Sequence, residues 1–210
     1  HQRRWDDGRT LARGPLGDRA EKRYGAPYYN FHRADLIALL AAAVPPERLH
    51  VGHRLEGITD HGDRVEARFT SAGRVNSDLL IGADGVNGIT ATSLGLAPVG
   101  EHAVALEANY PVDGDLAARW ERKFAIDLGG VPGGYCWVFP KGDHLNIGVG
   151  GWKAIGPTLR DRLVMYTRFL GLDEHLLSGH RGYQLPMRRD GSPVVSGKAM
   201  LVGDAAALVD

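Results

Sequence analysis

Apolar residues recur along this chain with two different spacings, and the changes between them mark its elements. The opening stretch, polar and arginine-rich, keeps neither spacing, so residues 1–27 are expected to be irregular. From Ala34 onward Leu36, Ile37, Leu39, Leu40 and Val44 keep helical spacing. Asp35 sits in the first turn, where the helix dipole favours an anion, and Pro45-Pro46 stops the helix. Alternation then takes over, predicting strands over 50–58, over 64–70, where Val65, Ala67 and Phe69 share one face, and over 77–81, with turns at 60–63 and 71–73. Further strands are expected at 104–112, 122–128, 135–139, 144–149 and 182–187. A helix over 158–170 interrupts them, with Leu159, Leu163, Tyr166 and Leu170 on one face and Gly171 as its stop.

A helix, a strand meander and then an apolar strand running into Gly82-Ala83-Asp84-Gly85 fit the later part of a nucleotide-binding α/β domain. A second short apolar strand, 198–202, runs into Gly203-Asp204-Ala205-Ala206. The strands between these landmarks read as an insertion. The expected organisation is therefore a partial Rossmann-like domain over 28–96 and 193–210, with a mixed β-sheet substrate-binding domain inserted at 97–192. Lys plus Arg equals Asp plus Glu at 25 each, so there is no basic field for nucleic acid. A single cysteine fits a reducing cytoplasm. No apolar run approaches the ~20 residues that span a bilayer. The chain opens on His1 and stops just after an apolar run, and it reads as an internal piece of a longer protein.

The most informative stretch is Pro132-Gly133-Gly134-Tyr135-Cys136-Trp137-Val138-Phe139-Pro140. In an extended strand Tyr135, Trp137 and Phe139 project together. After the turn at 140–143, Leu145, Ile147 and Val149 line one face of a second strand, while Asn146, Gly148 and Gly150 leave the other nearly bare. An aromatic wall beside open space makes an apolar pocket, although alternating aromatics also fill ordinary sheet cores. The spacing P-x-x-Y-x-W-x-F-P, with Lys141-Gly142-Asp143 and Gly148-Val149-Gly150-Gly151 after it, closely resembles the geranylgeranyl reductase family of flavoproteins. That resemblance implies that Tyr135, Trp137 and Phe139 hold a prenyl chain.

The landmarks carry related resemblances. The run from Ser77 to Asn87, with Gly82-Ala83-Asp84-Gly85 at its centre, resembles the DG motif of FAD-dependent hydroxylases and their relatives. This implies that Asp84 and Gly85 lie near the FAD pyrophosphate and the nicotinamide path. By pattern alone, Ala-Asp-Gly is equally a plain turn. The hydroxylase form continues to a serine and an arginine, where this chain has Gly88 and Ala91, a departure that counts against aromatic hydroxylation more than against flavin binding. The run from Lys198 to Ala206 is similar to the GD motif of the same superfamily. By that likeness Asp204 accepts a hydrogen bond from a ribityl hydroxyl, while the Gly203 and Ala205 backbone faces the pyrophosphate. Ala207-Leu208-Val209-Asp210 follows where hydroxylases place a histidine, as in the prenyl reductases. Upstream, Tyr28-Tyr29-Asn30-Phe31-His32-Arg33-Ala34-Asp35-Leu36 resembles the H-R-x-D-L string of salicylate-type hydroxylases, which makes Arg33 a candidate FAD contact beside the plainer reading of a surface arginine at a helix start. The stretches before and after the DG motif thus resemble different branches of one superfamily.

Other chemistries find little support. His50 with His53, and His175 with His180, lack a third ligand at zinc spacing, and Ser192 and Ser196 lack the G-x-S-x-G elbow. Cys136 faces away from Tyr135 and Trp137 and reads as a packed thiol. The resemblance implies an FAD-dependent oxidoreductase with NAD(P)H or another electron donor. Its small-molecule substrate would be a prenyl lipid whose double bond is reduced, or else an aromatic compound hydroxylated with dioxygen. The Gly148 and Gly150 face is expected to offer no arginine for an aromatic carboxylate. A prenyl lipid would bring peripheral membrane contact to a cytoplasmic protein. The G-x-G-x-x-G that opens such domains is absent, so a non-catalytic fragment of a flavoprotein is the reading from another class.

Overall fold

The computed structural model describes residues 2–4, 7–12, 14, 18–29, 31–97, 101–188 and 191–208. Of the residues singled out above, His1, Asn30, Val209 and Asp210 lie outside them. In chain order the elements are β1 (Gln2–Arg4), β2 (Thr10–Ala12), α1 (Asp18–Tyr24), α2 (Arg33–Ala42), β3 (Leu55–Asp60), β4 (Val65–Phe69), β5 (Gly73–Ser77), β6 (Leu80–Gly82) and α3 (Thr90–Ser93). They continue with β7 (His102–Pro111), α4 (Gly114–Trp120), β8 (Ala125–Leu128), β9 (Tyr135–Pro140), β10 (His144–Trp152), α5 (Leu159–Phe169), β11 (Ser178–Pro186), β12 (Val195–Ser196) and β13 (Ala199–Leu201). The class is α/β.

A seven-stranded sheet in the order β11-β7-β10-β9-β8-β1-β2 is the largest layer. One face of it is dry. Cys136, Val138, Leu145, Ile147 and Val149 pack there against Leu159, Leu163, Tyr166 and Leu170 of α5 and its end, the stripe the spacing predicts. The β12-β13-β6 sheet encloses a smaller core, in which Leu201, Ala205 and Ala206 meet Ala91 and Leu96. The meander β3-β4-β5 forms a third sheet.

The described residues among the first 27 correct the expectation of irregular chain, since they form β1, β2 and α1. β1 joins the large sheet parallel to β8, with Arg3 opposite Asp127, and β2 closes its edge. Three-residue strands are too short for periodicity to reveal, and long-range partners hold this one in place. Both Nε and Nη2 of Arg3 donate to the Asp127 carboxylate, at 2.8 and 2.6 Å, and the Tyr166 hydroxyl donates to the same group at 2.5 Å. Asp127 has no exposed surface. Burial alone would lower the Arg3 guanidinium, but the hydrogen bond and charge of Asp127 raise it above its ordinary value. Burial first, and the bond to Asp127 second, push the Tyr166 hydroxyl upward.

Three other elements depart from the pattern. Gly52 takes φ of 76°, so the strand expected from residue 50 starts only at Leu55. The segment expected as one strand over 77–81 is split, because β5, a polar strand with one apolar residue, ends at Ser77 and β6 begins at Leu80. α4, which no periodicity announced, is capped by Asp113, whose Oδ1 accepts from the Leu116 amide at 2.8 Å. The predicted helix at α2 is present, yet none of its residues is buried: Ile37, Leu39 and Leu40 are 54, 62 and 60% exposed.

Candidate functional site

The face of the large sheet turned away from α5 carries the aromatic wall. Cross-strand register aligns its side chains in rows. One row runs Trp137, Gly148, Glu107, Arg181 across β9, β10, β7 and β11. A second runs Tyr135, Gly150, Ala105, Tyr183, and a third Phe139, Asn146, Asn109, Ser178. The Tyr135 and Trp137 rings lie 5.9 Å apart, and Trp137 stacks on Phe139 at 6.2 Å. The three aromatics do share a face.

The glycine side of that face is not bare, however. A Cβ on Gly148 would lie 2.0 Å from Cζ2 of Trp137, so the indole fills the space the glycine leaves. Its Nε1 donates to Asn146 Oδ1 at 2.8 Å, which satisfies the one polar atom of a buried ring. Beside the indole a cleft of about 270 Å³ remains, lined by Glu107, Tyr135, Trp137, Phe139, Lys141 and Asn146. The expectation of no arginine on this face is also overturned, since Arg181 stands in the Trp137 row. Strand parity was visible in the sequence, but the register that brings β11 beside β7 was not. Tyr183 Oη donates to Glu107 Oε1 at 2.9 Å, a bond that, ahead of desolvation, raises its hydroxyl above the ordinary value. On the opposite face burial pushes the Cys136 thiol up to about 12, with the charge of Asp127 adding and that of Arg162 opposing, so it stays a protonated packing group.

The two landmark loops come together at one sheet edge. β6 and β13 are parallel neighbours, with Leu201 opposite Gly82, so Asp84-Gly85 and Gly203-Asp204 both leave from carboxyl ends of adjacent strands. Gly85 and Gly203 have φ of 77° and 57°, and a Cβ on either would meet nothing within 4 Å. Two bare, left-handed backbone positions facing open space at a carboxyl edge fit the close approach of a pyrophosphate. The Asp84 side chain is engaged elsewhere. Its Oδ2 accepts from the Thr90 amide at 2.9 Å and from the Thr90 hydroxyl at 2.8 Å, holding the loop to α3. Asp204 is exposed, Ala205 is buried in the smaller core, and Arg188, which the sequence reading missed, donates from Nη1 to the Ala206 carbonyl at 2.9 Å. Arg33 is the first residue of α2 and lies exposed. No cluster of three metal-ligating side chains occurs among the described residues.

A family model described as FAD binding domain matches residues 29–158. The chain is 42% identical to 3-amino-4-hydroxybenzoate 2-monooxygenase of Streptomyces cremeus over 92 residues, which are 44% of this chain and 23% of that protein. It is 34% identical to digeranylgeranylglycerophospholipid reductase 1 of Methanopyrus kandleri over 105 residues, 48% of this chain and 28% of that one. The matches thus span about a quarter of those relatives' lengths. Among solved structures, Klebsiella pneumoniae HpxO complexed with FAD and uric acid superposes with a TM-score of 0.65 at 20% identity, covering 98% of this chain and 55% of that one. A geranylgeranyl bacteriochlorophyll reductase-like protein of Thermoplasma acidophilum gives 0.61 at 24% identity, covering 84% and 47%. At those identities the structures speak for a shared fold.

Proposed function

Because the chain belongs to the FAD binding domain family, we propose that it carries the substrate face and the carboxyl-edge half of the cofactor site of an FAD-dependent oxidoreductase that reduces isoprenoid double bonds. Residues 97–192 would form the substrate-binding domain, with β1 and β2 extending its sheet, and 28–96 with 193–210 would serve FAD. The Gly85 and Gly203 backbone would lie against the pyrophosphate and Asp204 against the ribityl chain. Asp84 would act by shaping its loop. Arg33 stays a candidate contact of the same cofactor. When bound and reduced by NAD(P)H or another donor, FAD would supply a hydride to one alkene carbon, the balancing proton coming to the other from solvent or a nearby donor.

The observation that carries this reading is the continuous wall of Tyr135, Trp137 and Phe139 over a cleft. These side chains would orient the alkene and keep water from it. The volume of about 270 Å³ sits just under the usual ~300–1,000 Å³ of a ligand site, enough for the chain around one double bond. No helix of the described residues is long and apolar enough to cross a membrane; peripheral contact with the membrane of a prenyl lipid belongs to the same proposal.

A second reading, hydroxylation of an aromatic acid, is favoured by Lys141 at the cleft and Arg181 on its face, two cations able to receive a carboxylate. The test supplies the full-length protein with FAD and reductant. Saturation of geranylgeranyl compounds without oxygen is the expected result. Oxygen-dependent hydroxylation of an aminohydroxybenzoate with no alkene reduced would overturn it in favour of the second reading.

A further inference from the structure

Of the carboxylate and amide groups lining the cleft, Glu107 is the one whose acceptors its neighbours do not use up. Trp137 and Asn146 satisfy each other at 2.8 Å, and Asn146 Nδ2 turns to Asn109 at 3.5 Å. Glu107 differs. Its Oε1 accepts from Tyr183 at 2.9 Å, which fixes the side chain, while among the described residues no cation stands within the 4 Å of an ion pair, although Arg181 is its register partner on β11. A carboxylate offers about four lone-pair sites. Glu107 lines the same cleft as the Trp137 indole. A ligand hydroxyl or amino group that replaces water at this carboxylate is favoured over an analogue that displaces the water and donates nothing.

We propose that Glu107, held by Tyr183, is the specificity-determining residue of this site: it accepts a hydrogen bond from a hydroxyl or amino group on a substrate whose apolar body lies against Trp137. Substrates that end in an ether or a bare hydrocarbon are discriminated against. The inference rests on the reading of the aromatic face as the substrate face, and it is indifferent to whether that substrate is prenyl or aromatic.

The test measures equilibrium binding to the full-length, FAD-loaded protein of two matched pairs: geranylgeraniol with its methyl ether, and 4-hydroxybenzoate with 4-methoxybenzoate. For whichever pair binds, the hydroxyl member should bind about tenfold or more tighter in the wild type. Glu107→Ala should bring the ratio to within about twofold, with Glu107→Gln and Tyr183→Phe in between. Trp137→Ala should weaken both members alike and leave the ratio unchanged. A ratio that survives Glu107→Ala, while Trp137→Ala still weakens binding, overturns the role of Glu107 and leaves the substrate face standing. Binding indifferent to Trp137→Ala, or no binding of any of the four compounds, overturns the substrate face and the inference with it.

Discussion

At Gly88 a single methyl group meets the Asp84 carboxyl carbon at 2.1 Å. The carboxylate is a mobile end, so Gly88→Ala would be relieved by turning Asp84 away, at the expense of its two bonds to Thr90. Losing that cap should cost about 1–2 kcal/mol, and Asp84→Ala about the same. The two losses are one loss. The double variant should therefore unfold in urea within about 0.5 kcal/mol of Asp84→Ala alone, and full additivity would refute the coupling. The glycine where hydroxylase-like sequences have serine thus acquires a local reason: it makes room for the aspartate that shapes the loop.

Between elements, the Arg3, Asp127 and Tyr166 cluster ties β1, β8 and α5 together across the buried face. Asp127→Ala would leave the Arg3 guanidinium without its bidentate partner, and Arg3→Ala would strand a carboxylate with no exposed surface. Breaking a buried pair from one side costs about 3–5 kcal/mol. Arg3→Ala should sit at the upper end, because Arg3 keeps some access to water and Asp127 has none. Denaturant midpoints of the two variants check the order. A loss below about 1 kcal/mol for either would reduce the cluster to a surface pair.

Across the full chain, what the sequence disclosed follows from locality. α5, the β9 and β10 pair and the two glycine-aspartate turns were legible because each signal lies within a dozen residues. The convergence of Asp84 and Asp204 on one edge was implied by resemblance, and parallel pairing of β6 with β13 supplies its geometry. Glu107, Arg181 and Tyr183 were not legible as a group, since their meeting depends on the register between β7 and β11, with Glu107 and Tyr183 76 residues apart in the chain. The apolar spacing of α2 announced a helix but not its surroundings, and its leucines lie exposed.

The pairing of β1 with β8 also sets an order in time. β9 and β10 are joined by a short turn and can close early, whereas Arg3 must find Asp127 across 124 residues. At about 5–20 residues per second, a ribosome releases the partner of β1 about 6–25 s after β1 itself. Until then the arginine-rich hairpin has no sheet to join. Pulse-labelled amide exchange during refolding should accordingly find the β9 and β10 amides protected before those of Arg3 and Arg4, and the opposite order would mean that the early strands dock on something other than β8. A nascent chain stalled before Leu128 would therefore display β1 to chaperones without its partner strand.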